Sequence, residues 1–309
     1  MRRILSLFLL SPLLLSATDY TFVDLNSPWH FGAEFEMDPK GRPWHIETSG
    51  TWIGKGDLRH HDGGISLANA FASVYYSQFL SPQHALSWQV GYTFQRFDFE
   101  KNPRFEQKDF HYGLVSLAYI THGVEDWRWV VSGGLTANLQ MLDEIGKSLV
   151  GYGFVWGRYV FQLTVGLHIG FFGYVGAQNG YLLPVLGIDW LITDKWKLNA
   201  VMPLDLSLDY IFTKEWTASL GWAAFGGPYR FPWRYKGGKE GFKDGILQFY
   251  SSGVDLSLNY DTLNNVRACV GAGYSFGGWA QIKNSHDRHG KYFKYDGAPY
   301  ALAELDFTF

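Results

Sequence analysis

The last twelve residues, Ala298 to Phe309, read APYALAELDFTF, and they restrict the fold more than any other stretch. Counting back by twos from the end gives Phe309, Phe307, Leu305, Ala303 and Ala301, all apolar, while Thr308, Asp306, Glu304 and Leu302 fall between them. A period of two means an extended strand with one apolar and one mostly polar face. A bare aromatic carboxyl terminus on such a strand is rare in a soluble sandwich.

The rest of the chain obeys the same grammar. Val254, Leu256, Leu258 and Tyr260 alternate with Gly253, Asp255, Ser257 and Asn259; Leu206, Leu208, Tyr210 and Phe212 alternate with Asp205, Ser207 and Asp209. Val266, Ala268, Val270, Ala272, Tyr274 and Phe276 alternate with Arg267, Cys269, Gly271, Gly273, Ser275 and Gly277. Aromatics make up 18% of the 309 residues, yet mean hydropathy is only −0.12, because alternating apolar and polar positions cancel in the average. A helical membrane protein would be far more apolar. The net charge of −3 speaks against nucleic-acid binding, and the lone Cys269 excludes a disulfide framework or a cysteine-based metal site. No cofactor motif is present.

Met1-Arg2-Arg3 followed by the apolar run Ile4 to Leu15 and the small residues Ser16-Ala17 reads as a secretory signal peptide over residues 1–17. Residues 18–43 then form a periplasmic or plug-like lead-in, and 44–309 the strand-rich body. Short polar turns at Ser81–His84, Gly123–Asp126, Thr193–Lys195, Thr213–Glu215 and Asp261–Asn265 alternate with longer polar segments. Trp127, Trp196 and Trp216 each stand at or just past a turn, where an aromatic girdle at a membrane interface would lie. Strands are expected near 44–53, 65–79, 85–97, 109–121, 127–137, 149–157, 159–170, 181–192, 196–201, 206–212, 216–226, 246–260, 266–278 and 298–309. Tyr159 to Ala177 carries no formal charge and is long enough for a spanning helix, but its period of two makes it a strand.

Together the leader, the hairpin grammar and the terminal Phe309, Phe307 and Leu305 resemble Gram-negative outer-membrane β-barrels, in particular families of such barrels with no assigned function. The resemblance implies an all-β, transmembrane, antiparallel up-and-down barrel of about fourteen strands, with twelve or sixteen as alternatives. It implies secretion to the periplasm, residence in the outer membrane among lipid and lipopolysaccharide, and delivery by the barrel-assembly machinery, which reads the terminal strand. No motif maps residue by residue onto classical porins, fatty-acid transporters or barrel phospholipases.

Carboxylates facing lipid would cost several kcal/mol each, so Asp189, Asp205, Asp209 and Asp255, with Arg267, are expected to face the lumen. Arg96 and Arg158 are further candidates for a basic wall opposed to an acidic one. Arg230, Trp233, Arg234, Lys236 and Lys239 in one external loop, and Arg288 and Lys291 in another, combine cations with aromatics, which suits sugar or phosphate binding. His60-His61-Asp62 and His286-Asp287-Arg288-His289 lack the framing of a metal site, and none is expected. His168 has the inward phase and no nameable nucleophile, and there is no Gly-x-Ser-x-Gly elbow. The chain therefore reads first as a porin-like channel for small polar solutes rather than an enzyme. The alternatives are a non-conducting surface barrel that binds or adheres through its basic aromatic loops, and, last, a barrel lipid hydrolase.

Overall fold

The computed structural model describes residues 42–60, 62–100, 108–162, 164–176, 180–203, 205–231, 245–262, 265–284 and 291–309. The expected signal segment, residues 1–17, and nearly all of the expected lead-in lie outside these residues. The chain forms one closed antiparallel barrel of fourteen strands. Its elements in order are β1 (Trp44–Asp57), β2 (Gly64–Ser81), β3 (His84–Phe99), β4 (Asp109–Val124), β5 (Trp127–Asn138), β6 (Val150–Gln162), β7 (Val165–Val175) and β8 (Gly180–Thr193). Then come β9 (Trp196–Met202), β10 (Asp205–Ile211), β11 (Trp216–Phe231), β12 (Gly245–Asp261), β13 (Val266–Asn284), β14 (Lys291–Tyr295) and β15 (Ala298–Thr308).

From β1 to β14 each strand pairs with its neighbour in sequence, and β1 closes the ring on β15 from His45↔Thr308 to Ile53↔Tyr300. Both β14 and β15 lie along β13, joined through Asp296-Gly297, so they act as one interrupted barrel strand. Backbone bonds between Trp44 and Phe309 tie the two ends of the described barrel together. The end of the barrel that carries them is called the base here, and the opposite end the crown.

Facing follows the expected alternation. Leu256 is 64% exposed on the outside while its neighbour Asp255 is 3% exposed within. Val90, Val270, Leu220, Leu305 and Phe307 likewise cover the exterior, whereas Glu47, Ser73, Asp209 and Asp306 are buried inside. Two glycines permit irregularities that alternation alone would not reveal. Gly277 has φ +81°, and a Cβ there would meet Tyr295 O at 2.3 Å. Beyond it the β13 phase flips, so that Ala280 and Ile282 face inward. Gly226 on β11 has φ +112°, and a Cβ would lie 1.9 Å from Phe249 O.

Several expected boundaries shift. The segment 159–170 is not one strand, because β6 runs on to Gln162 and β7 starts at Val165. The two-residue connection keeps Tyr159, Leu167 and Ile169 on the outer phase, so the misplaced turn leaves the facing unchanged. The long segments are shorter than expected, since strands continue into them. β11 extends to Phe231, β13 to Asn284 and β7 to Val175. Between β5 and β6 the chain forms a 3-10 turn, Leu139–Glu144, and a one-turn helix, Ile145–Ser148, started by Asn138, whose Oδ1 accepts from Gln140 N at 2.9 Å.

Candidate functional site

The lumen divides into two chemically distinct halves. Toward the base, most inward positions are polar and bonded in chains that run across strands, with Ala85, Ile120 and Val130 as buried apolar exceptions. Ser116 Oγ donates to Gln89 Oε1 (2.8 Å), Gln89 Nε2 to Tyr75 Oη (2.6 Å), and Tyr75 Oη to Glu47 Oε2 (2.8 Å), which spans β4 to β1. On the facing arc, Asn199 Nδ2 donates to Ser207 Oγ (3.0 Å) and Asp209 Oδ2 (2.8 Å). Higher up, Tyr300 Oη donates to Asp255 Oδ2 at 2.7 Å.

Asp189 sits in a network of its own. Arg158 Nε and Nη2 reach its two oxygens at 2.9 and 2.7 Å, a forked pair. Trp156 Nε1 donates to His168 Nδ1 at 3.1 Å, leaving the ring proton on Nε2, which meets Asp189 Oδ1 at 2.5 Å. These four residues come from β6, β7 and β8, with Arg158 opposite His168 and Asp189 opposite Gly166 in the ladder. Sequence phase placed His168 and Asp189 inside, but it could not show that they share one oxygen-nitrogen contact. The signal is register: Arg158 lies five residues before Leu163 and His168 five after it. Because both His168 nitrogens are engaged, the ring has none left to activate a nucleophile.

The expected opposition of acidic and basic walls is not what the structure builds. Arg158 answers Asp189 from two strands away on the same arc. Arg96 points outward and lies 3.7 Å from Asp109, so it is not a lumen residue. Arg267 occupies an inward phase at the base, where its Nε lies 3.1 Å from Asp261. Asp205 and Asp209 stand four residues apart on the inner face of β10, with Ser207 between them. Among the described residues, buried side-chain oxygens without a geometric hydrogen-bond partner occur in both halves, as at Asp205 Oδ1, Asp209 Oδ1 and Asn259 Oδ1 and, toward the crown, at Asn69 Oδ1 and Gln95 Oε1.

Toward the crown, the inward side chains are apolar and meet across the lumen. Phe97 on β3 packs edge-on against Tyr229 on β11 (4.7 Å between centroids) and Phe249 on β12 (5.2 Å). Phe110 lies 5.5 Å from Tyr229, and Phe249 stacks on Tyr295 at 5.2 Å. Phe97, Phe110, Tyr229 and Leu247 are 0% exposed. β3 and β11 are not ladder neighbours, so this contact can only be made by bridging the interior. The crown part of β11 leans the same way. Arg230 N donates to Tyr112 Oη (3.2 Å), and Asn138 Nδ2 donates to Arg230 O (2.6 Å). A second apolar cluster, including Phe154, Trp156, Phe172, Tyr174 and Val185, covers the inner face of β4 to β9 and reaches the base through Ile120 and Val130.

The external-loop candidates fall out differently. Arg230 is not a loop residue but part of β11, and Lys291 belongs to β14. Trp233, Arg234, Lys236, Lys239 and Arg288 lie outside the described residues, as do His61 and the His286–His289 run. Trp127, Trp196 and Trp216 open β5, β9 and β11 at the base and pack on neighbouring rings, Tyr159 (5.1 Å), Tyr210 (4.8 Å) and Tyr260 (4.7 Å). Phe307 and Leu305 line the outer face of β15, and Phe309 follows it, half exposed.

No protein-family model matches the chain. An uncharacterised protein of Chlamydia pneumoniae is 26% identical over 102 residues, so the match spans 33% of this chain and 31% of that protein. Among solved structures, an outer membrane channel of Pseudomonas putida F1 aligns over 90% of this chain and 98% of its own, with TM-score 0.49 and 8% identity. The P. putida toluene transporter TodX aligns over 86% and 90% (TM-score 0.37, 10% identity), and the KdgM porin over 85% and 99% (TM-score 0.35, 10% identity).

Proposed function

We propose that this chain is a channel-type barrel of the outer membrane, with a hydrated, acidic base compartment and an aromatic seal at the crown. The observation that carries this reading is the run of inward carboxylates and amides on β9 to β12, Asn199, Asp205, Asp209, Asp255 and Asn259, bonded along the wall rather than across the lumen. Such groups are stable inside a barrel only where protein donors or water satisfy them, and the wall supplies donors for only part of the set. Glu47, Asp189, Asp205, Asp209, Asp255 and Asp306 face the lumen against Arg128, Arg158, Lys197 and Arg267, an acidic excess that favours cations over anions. In this reading the base is periplasmic, Trp127, Trp196 and Trp216 sit at the inner lipid interface, and Phe309, Phe307 and Leu305 serve the barrel-assembly machinery. Lipopolysaccharide surrounds the crown.

The test is the conductance of the refolded mature protein in a planar bilayer under a salt gradient. Discrete steps with a reversal potential on the cation side support the reading, and a shift toward zero in an Asp205→Asn/Asp209→Asn variant ties the preference to β10. Insertion with no conductance, even after the seal is opened, would replace the channel with a second reading, a non-conducting binding barrel. The filled crown favours that alternative. We further propose that His168 has no catalytic role, so that His168→Ala leaves no lipid-hydrolysing activity to lose.

A further inference from the structure

The outer wall is not filled to one height along the crown half of β5 to β8. On the base side a ridge crosses it, where Val131, Val155 and Phe171 stand opposite one another in the ladder, all exposed. The next outward row is Gly133, Gly153 and Gly173, again opposite one another, with no side chain to continue the surface. Leu182 ends this row on β8, opposite Gly173. In the third row, Leu135 and Val175 are exposed and flank a gap at Gly151. The result is an open depression of about 860 Å³ on the outer face, walled by Val131, Leu135, Val155, Phe171, Val175 and Leu182.

The chain beyond the gap shows what surrounds this depression. A Cβ on outward Gly113 of β4 would lie 3.1 Å from Leu139 Cδ2, and outward Ala137 is buried. The helical segment after β5 therefore starts against the outside of the wall. Its Leu139, Leu142 and Ile145, and Leu149 just beyond, are exposed, with Asp143 and Lys147 exposed among them. Exposed apolar side chains interleaved with charges suit the boundary between hydrocarbon and headgroups. With the crown outward, the depression lies just beneath that boundary, in the outer leaflet, and is continuous with the lipid-facing exterior.

Inside a bilayer the wall and the lipid are equally apolar, so packing alone selects what lies in such a recess. Atoms lining an unfilled recess lose their dispersion partners on one side, and a flexible hydrocarbon chain restores them.

We propose that this depression is a binding site for an acyl chain of the lipid A of lipopolysaccharide, which enters over Gly151 and lies against Gly153 and Gly173. The proposal rests on the crown-outward orientation of the channel reading but not on an open lumen. The test is native mass spectrometry of the refolded mature protein in mild detergent, titrated with lipid A and, in parallel, with phosphatidylethanolamine. The parent should hold one lipid A per barrel at concentrations where phosphatidylethanolamine is not held. A Gly151→Val/Gly173→Val variant fills the depression and should bind lipid A several-fold more weakly. A Cβ at these two positions meets nothing nearer than 3.8 and 3.4 Å, so the strands accept it, and the heat-modifiable folded band on a gel verifies that. Gly50→Val, at a position on the outer face of β1 where a Cβ stays 3.6 Å from Asn69 O, should bind lipid A as the parent does. Equal binding by all three proteins, or none by the parent, overturns the site. So does a preference for phosphatidylethanolamine that depends on the depression, or a dimer that the double variant alone abolishes. Ion conductance of the parent separates the two ideas. Conductance without lipid A binding sinks the lipid site alone, and lipid A binding that depends on the depression, without conductance, sinks the channel alone.

Discussion

The crown and base halves of the lumen are built by the same strands, yet they solve the problem of a barrel interior in opposite ways. At the base, inward polar residues bond along the wall, strand to strand, as in the Ser116–Gln89–Tyr75–Glu47 chain. At the crown, inward aromatics bond across the lumen, joining β3 and β4 to β11 and β12. Wall-wise bonding makes no contact across the axis, whereas cross-lumen packing fills it. In the proposed reading, one strand therefore carries a passage at one end and a closure at the other.

The contrast can be broken first at Gly226. Only glycine accepts its φ of +112° next to Phe249 O, and this geometry lets β11 lean inward. Gly226→Val is expected to prevent formation of the heat-modifiable folded band on a gel, whereas a valine at the open Gly146 is not. Next in size are two substitutions that compare the halves directly. Phe249→Ala at the crown should cost about 3–5 kcal/mol by leaving a cavity in a packed cluster. Asp189→Ala at the base should cost a similar ~3–5 kcal/mol by stripping the forked partner from Arg158 and the acceptor from His168. Asp189→Asn should recover part of that loss. Urea titrations in lipid vesicles measure all three. A smaller effect, about 1–1.5 kcal/mol, is expected for Tyr300→Phe, which removes one buried hydrogen bond to Asp255 where the halves meet. The smallest effect on stability belongs to Asp205→Asn/Asp209→Asn, whose consequence is a weaker cation preference.

Much of the barrel was legible because period-two facing is enforced at every outward position by the cost of polar groups there. Asp205, Asp209 and Asp255 lie inside for that reason, and the strand count follows from the turns at Thr193–Lys195 and Thr213–Glu215. The turn after Gln162 was not legible, because apolar Leu163 and Thr164 carry none of the usual Gly, Asn or Asp punctuation. Strand length was also hidden: alternation continues through Tyr229 and Ile282, but Gly226 and Gly277 disturb the pattern where the strands enter the crown. The crown seal depends on contacts between β3 and β11, more than a hundred residues apart in sequence, and no local pattern encodes such a meeting.

The most direct measurement is single-channel conductance of the parent protein and of a Phe97→Ala/Tyr229→Ala variant, both refolded and inserted in the same planar bilayer. Removing the two rings that touch across the lumen should raise conductance several-fold while keeping the cation preference set at the base. Equal conductance in the two proteins, or none in either despite insertion, would contradict a crown seal over a hydrated base.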